Sequence, residues 1–151
     1  YRGARVRKPS AAELIQAIEV RAELEAMAGR LAASRSDEKL VEDLEGLYTE
    51  MLEAAEEGNA HDHAVKNTAF HARIVEASGN QTLERVWSML EPFSRTFVTA
   101  SSPGIDLHWL AERHRRIIDA IRDRDEDLAG EAMRKHAAEA ANLIDGEFEH
   151  D

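Results

Sequence analysis

The chain of 151 residues contains no cysteine and only three prolines. Without cysteine it can form neither disulfide bonds nor thiolate metal sites, and it has no cysteine nucleophile. Any metal ion must therefore be bound through nitrogen and oxygen ligands. The absence of cysteine also fits a reducing compartment.

Long apolar segments are missing as well. No stretch of about 20 apolar residues could span a membrane, and no basic segment followed by a short apolar one marks a secretory signal. We therefore expect a cytoplasmic protein with no membrane partner. The formal net charge is -11 at pH 7. Because such a charge repels phosphate backbones, we do not expect this segment itself to read DNA.

The sequence between Pro9, Pro92 and Pro103 is rich in Ala, Glu, Leu and Arg, and its apolar residues recur every three to four positions. This period is that of amphipathic helices. It predicts an all-α fold, an antiparallel bundle of six or seven helices with a central metal or ligand cavity. No linker divides the chain after residue 10.

Several boundaries can be placed from capping residues. The spacing of Ser10 and Glu13 predicts a capping box at the start of the first helix. Ser36 or Asp37 is expected to cap the second helix, and Asp125 the last. In the turn 78–80, Gly79 is expected to close one helix and Asn80 to cap the next.

Two further boundaries depend on breakers and on period. Pro92 should kink or divide the fourth helical segment, with 93–100 continuing as a further helix. From Asp106 a single helix is predicted to about Arg124, because its apolar residues keep one face.

The first nine residues differ from the rest, since they are basic and lack a helical period. They resemble a strand end and a linker. This composition break suggests that a preceding part of a longer protein is absent, although an ordinary disordered terminus would have the same composition.

Three of the seven histidines lie in the middle of apolar helical faces. These are His71, His114 and His136, whereas His61, His63, His108 and His150 lie near predicted helix ends. Asn67 precedes His71 by four residues and shares its face. One such histidine is usually a hydrogen-bonded core residue. Three together, with the Asn67 amide oxygen, form a plausible ligand set for a divalent transition metal.

The proposed ligand set contains no carboxylate, because Asn67 is a neutral amide. An anionic ligand could supply the missing negative charge at one or two open coordination positions. Arg21, on the inward face of the first helix, could bind the same anion through its guanidinium. An intrahelical pair between Arg21 and Glu25 is an equal alternative. Arg95 is a further effector candidate, for which a solvated surface position is the ordinary expectation.

Several segments resemble the FCD effector domain of GntR-type transcription regulators of the FadR class, and the resemblance covers nearly the whole chain. The segments are Val20–Glu25 with Leu31–Ala33, Asn67–His71 with Ser78–Asn80, Glu112–Ile121, and Ala132–His136. The resemblance implies that the inward histidines and the residue at position 67 bind a divalent metal, zinc or nickel being expected first. It also implies that an effector carboxylate completes the coordination shell. The family usually has Asp where this chain has Asn67, which puts metal affinity and identity in question.

The resemblance further implies a homodimer that binds operator DNA through an N-terminal winged-helix domain. On this interpretation residues 1–9 are the end of that domain and its linker, and residues 10–151 are the effector-binding domain. Binding of a small carboxylate would then alter the placement of the two DNA-reading heads in a repressor.

Two other functions remain open from the residues. A metal-dependent enzyme of helical-bundle type could use the same histidines. Glu76 and Glu112, however, should point away from them, and no GxSxG, HExxH or Glu-x-x-His pair is present, so we expect no catalytic residues. A purely structural dimerisation module is the second alternative.

Overall fold

The computed structural model describes residues 10–90 and 99–148, and every regular element in that part of the chain is a helix. Thr99 and Ala100 are also helical. The all-α prediction is confirmed. The described residues form seven helices: α1 Ala11–Ser34, α2 Glu38–Glu56, α3 Ala60–Ala77, α4 Gln81–Ser88, α5 Leu107–Glu112, α6 Arg115–Arg122 and α7 Glu126–Phe148.

The caps predicted from the sequence are present. The Ser10 hydroxyl accepts a hydrogen bond from the Glu13 N–H at 3.2 Å, and the Glu13 carboxylate accepts one from the Ser10 N–H at 2.8 Å. Asp37, not Ser36, caps α2. Asn80 caps α4 and Asp125 accepts from the N–H of Leu128. Each cap satisfies a backbone donor that the first turn leaves unpaired.

The bundle is organised around two long pairings, α1 along α7 and α2 along α3. The side chains that fill the space between the helices are fully buried, namely Leu44, Met51, Phe70, Ile74, Ile117, Ile118, Ile121 and Met133. Small residues let α1 approach α7 closely, since a Cβ added at Gly29 would lie 3.2 Å from the Ala129 carbonyl oxygen. The pairing brings residues from the two sequence-distant helices into one interior.

The expected single helix from Asp106 to Arg124 is wrong, because it is interrupted at Arg113 and His114. The His114 N–H donates to the Ala111 carbonyl at 3.0 Å. This hydrogen bond closes a three-residue turn that ends α5. The His114 carbonyl then accepts from the first N–H groups of α6. Contacts made by the two buried side chains hold this break. The segment contains no glycine or proline, so nothing in the local sequence predicts the break.

Three predictions of local structure fall wholly or mostly outside the described residues. They are the strand end and linker at 1–9, the effect of Pro92, and the helical segment expected at 93–100. No helix in the described part of the chain is long and apolar enough to cross a membrane.

Gly79 has a backbone conformation and surroundings that an added Cβ would disturb. Its φ is +65°, and a Cβ there would overlap the guanidinium of Arg35, which donates to the Ser78 carbonyl. We expect Gly79→Ala to lower the free energy of unfolding by about 2 kcal/mol or more, from left-handed strain plus the displaced hydrogen bond. Urea denaturation measures this change.

Gly58→Ala is the matched control for that substitution. Gly58 has a φ of +64° but no atom within 4 Å of an added Cβ. Gly58→Ala should therefore lower the free energy of unfolding only by the strain of the left-handed backbone, about 1 kcal/mol. Equal losses in the two variants would show that the Arg35 contact contributes nothing.

Candidate metal and ligand site

Three histidines from different parts of the bundle converge in its interior. His71 lies on α3, His114 at the α5–α6 break and His136 on α7, and they are 1%, 0% and 6% exposed. One ring nitrogen of each lies within 4.8 Å of those of the other two. The ring centroids of His114 and His136 are 4.3 Å apart, and those of His71 and His136 5.1 Å. Modest side-chain rotation would close such a group around a single ion.

The environment of His114 fixes which of its nitrogens is free. Its Nδ1 lies 3.0 Å from the Ala111 carbonyl oxygen, which can only accept, so Nδ1 carries the proton. The lone pair is then on Nε2, which lies 3.4 Å from the Asn67 Oδ1. With the amide in this orientation two acceptors face one another. A cation bound between them would turn this unfavourable contact into two ligand bonds, which fits a metal at this place.

His114 and His136 also have the chemistry that a metal requires. Burial lowers the pKa of His114 and of His136 well below the ordinary value, and neighbouring histidines and Arg113 lower both further. Both are therefore neutral near pH 7, the form that binds metal ions. The Nδ1 of His136 is buried and has no hydrogen-bond partner among the described residues. The residues present thus fit a nitrogen-ligated divalent ion.

Glu25 connects the histidine cluster to Arg21. Its Oε2 lies 3.2 Å from the Nδ1 of His71, a close contact without an aligned hydrogen bond. Its Oε1 accepts from Arg21 Nη2 and from the Trp87 indole N–H, both at 2.8 Å. Burial raises the pKa of Glu25, but the charge of Arg21, the neighbouring His71 and the hydrogen bond from Trp87 outweigh burial and hold the pKa well below the ordinary value. Glu25 therefore stays ionised and orients its partners.

A cavity of about 50 Å³ adjoins the cluster. Arg21, Asn67, His71 and His136 all line it, so the structure brings these four predicted site residues together beside one space. The described lining residues are Ile18, Arg21, Glu25, His63, Asn67, His71, Thr99, Ala100, Leu110, Arg113, His136, Ala137 and Ala140. Arg21 also makes the alternative pair with Glu25. Arg95 lies outside the described residues.

His63 lies in the first turn of α3, near a helix end as the sequence predicted, but it was not expected to face the interior. It is fully buried and lines the cavity. The N-cap of α3 is Asn59, so His63 already lies within the helix. The sequence did contain a signal, because His63, Asn67 and His71 are spaced by four residues and share one face. His61 and His108 are exposed as expected, and His150 lies outside the described residues.

Arg113 is the second lining residue that the sequence did not indicate. Its guanidinium is 8% exposed, donates from Nε to the Glu139 Oε2 at 2.8 Å, and also donates to the His136 carbonyl. It lies 4.9 Å from the ring centroid of Trp109. Arg113 lies at the break between α5 and α6, and by helical period it lies at the edge of the apolar face, three residues after Leu110 and four before Ile117.

The carboxylates considered as possible catalytic bases lie elsewhere. Glu76 and Glu112 are exposed, as their helical positions predicted. Among the described lining residues Glu25 is the only carboxylate, and it is held ionised by Arg21 and Trp87. A carboxylate with a strongly lowered pKa is a poor proton acceptor.

Comparison with known proteins gives a family and a fold. Residues 16–139 match the model of the FCD domain. The chain is 38% identical over 136 residues to a protein of Paenarthrobacter nicotinovorans named "Probable D-xylose utilization operon transcriptional repressor". That match covers 90% of this chain but only 60% of the relative.

Two solved structures have similar folds. E. coli McbR/YncC matches with a TM-score of 0.83 at 17% identity, over 94% of this chain and 72% of the other. A Streptococcus agalactiae GntR matches with a TM-score of 0.71 at 24% identity, over 93% of this chain and 63% of the other. At these identities the likeness concerns the fold.

Proposed function

Because the chain belongs to the FCD domain family of GntR-type transcription regulators, we propose that it senses a small carboxylate effector at a divalent-metal site. The observation that carries this proposal is the convergence of His71, His114 and His136 beside a cavity that Arg21 also lines. A neutral-ligand cluster next to a buried guanidinium is suited to an anion bound jointly by metal and arginine.

His71, His114 and His136 would hold the metal, with zinc or nickel the first candidates and the Asn67 amide oxygen a weaker ligand. When bound, the ion would supply positive charge that attracts a carboxylate oxygen to an open position. Arg21 would bind the same carboxylate. Its contacts to Glu25 use Nε and Nη2, and they hold the guanidinium plane in place while the group faces the cavity.

We further propose that the chain acts within a larger, cytoplasmic, homodimeric repressor whose N-terminal winged-helix domain binds operator DNA. The relative from Paenarthrobacter nicotinovorans is named a probable repressor of a D-xylose utilization operon, and a similar role in controlling carbon utilisation would suit this chain. Such control requires that the effector bind the DNA-competent and DNA-released states with unequal affinity.

Calorimetric titration with 2-hydroxypentanoate tests the metal-dependent binding of carboxylates. We expect binding to the chain loaded with Zn²⁺ or Ni²⁺, and none after removal of the ion with a chelator. In Arg21→Gln the affinity should fall about 10-fold or more at unchanged metal content, because a charge-assisted contact is lost.

Three results would contradict the proposal. Equal binding before and after chelation would show that the metal has no part in it. Complete absence of binding, together with absence of metal, would favour the structural dimerisation module, whereas turnover of the carboxylate would favour an enzyme.

A further inference from the structure

His63 is a buried polar side chain that the proposed metal site leaves unused. It is 0% exposed, and neither ring nitrogen has a hydrogen-bond partner in the described part of the chain. Burial lowers the pKa of His63 to about 4 and the charge of Arg113 lowers it further, while the Leu107 carbonyl, which lies near the ring without an aligned hydrogen bond, raises it only in part. The imidazole is therefore neutral near pH 7. A buried donor and acceptor left unpaired are costly, and such groups call for a partner.

The missing partner of His63 has to come from the cavity that this side chain lines. His63 does not belong to the compact group formed by His71, His114 and His136. On α3 it precedes Asn67 by one turn and His71 by two, which corresponds to helical rises of about 6 and 12 Å. Along α3, therefore, His63 lies away from His71, and the far end of an elongated ligand held at the histidine cluster would have to extend toward it.

The hydrogen-bonding capacity of a neutral imidazole determines which chemical group at the far end of the ligand it can bind. Its ring has one donor and one acceptor nitrogen. A hydroxyl group matches it because it can accept from one histidine nitrogen or donate to the other. A carboxylate can only accept, and an alkyl chain would satisfy neither nitrogen. The Thr99 hydroxyl and the Arg113 guanidinium line the same cavity and add polar partners for further hydroxyl groups.

The size of the cavity limits the ligand further. About 50 Å³ of space suits a molecule of a few carbons better than a long acyl chain. We propose that His63 selects a short, polyhydroxylated carboxylate of the aldonic acid type by hydrogen bonding a hydroxyl group remote from the carboxylate. This inference rests on the carboxylate-sensing function proposed above, since the metal and Arg21 would hold the other end.

The experiment compares five-carbon 2-hydroxy acids that carry different groups beyond C2. The four D-pentonates, 2-hydroxypentanoate and 2-hydroxyglutarate share a five-carbon chain, a carboxylate and a 2-hydroxyl, and they are titrated into the metal-loaded chain by calorimetry. At least one pentonate should bind about 10-fold more tightly than 2-hydroxypentanoate. In His63→Leu this difference should shrink to about 2-fold or less, while the affinity for 2-hydroxypentanoate stays unchanged.

His63→Leu should fold, because replacing an unsatisfied buried polar group by an apolar one of similar size is near neutral or stabilising. The thermal unfolding midpoint checks this, and the comparison of probes on the unmodified chain needs no variant. His108→Leu is the matched control, since His108 is exposed and its replacement should leave all affinities unchanged.

The outcomes separate this inference from the function on which it rests. Metal-dependent binding of all probes with equal affinity would overturn the role of His63 and leave carboxylate sensing intact. Preference for 2-hydroxyglutarate would overturn it in favour of a dicarboxylate. If no probe binds the metal-loaded chain, both proposals fail.

Discussion

Replacing His71 or His114 by alanine should reduce the metal content of the purified chain from about one ion per chain to nearly none, because each removes one of three nitrogen ligands. The loss should be large because Asn67, a neutral amide, cannot take over the role of an imidazole. Plasma mass spectrometry of the dialysed, untagged protein measures the content, and circular dichroism should show the helices retained.

His108→Ala is the control for those variants, since His108 is exposed on α5 and its loss should leave the metal content unchanged. A metal content equal to that of the unmodified chain in His71→Ala or His114→Ala would refute the assigned ligands. Absence of metal from the unmodified chain would mean that the site with Asn67 does not retain an ion. Arg21 and the other cavity residues would then have to bind an effector without a metal.

Glu25→Ala should lower the free energy of unfolding by about 3 kcal/mol or more. Glu25 is 2% exposed, and its removal leaves the buried Arg21 guanidinium and the Trp87 indole N–H without their partner. Breaking a buried ion pair from one side leaves an uncompensated charge in the interior, which is far more costly than losing a surface pair. Urea denaturation followed by tryptophan fluorescence and by circular dichroism measures the loss.

The comparison for Glu25 is Glu23→Ala on the same helix. Glu23 pairs with Arg134 at 2.9 Å, but both side chains are largely exposed, so water can replace the missing partner and little change is expected. Similar unfolding curves for the Glu25 and Glu23 variants would show that burial adds nothing to the pair. We would then have to abandon the view that Glu25 holds Arg21 and His71 in position.

The sequence predicted what depends on local pattern. Helical period identified the all-α fold, and short-range spacing identified the caps at Ser10, Asn80 and Asp125. The inward positions of His71, His114 and His136 followed from the same period, since each lies among apolar residues on its own helix. The structure confirms that placement, whereas the roles of these residues as ligands stay a prediction.

Features that depend on contacts between helices could not be predicted from the sequence. The break at Arg113 and His114 has no glycine or proline to mark it. Glu25 was considered only as an intrahelical partner of Arg21, because its contact with Trp87 spans 62 positions. His63 was missed for a simpler reason, since its position near the helix end set it apart from the histidines in the middle of apolar faces.

The pairing of α1 with α7 has a consequence for how the protein is made. Arg21 and Glu25 emerge from the ribosome early, whereas His136 follows more than a hundred residues later. Until α7 is translated, the α1 face that it covers stays open and the histidine cluster lacks one member. A prematurely terminated chain would therefore expose an apolar face and lack His136, so the proposed metal site could form only once α7 is available to pair with α1.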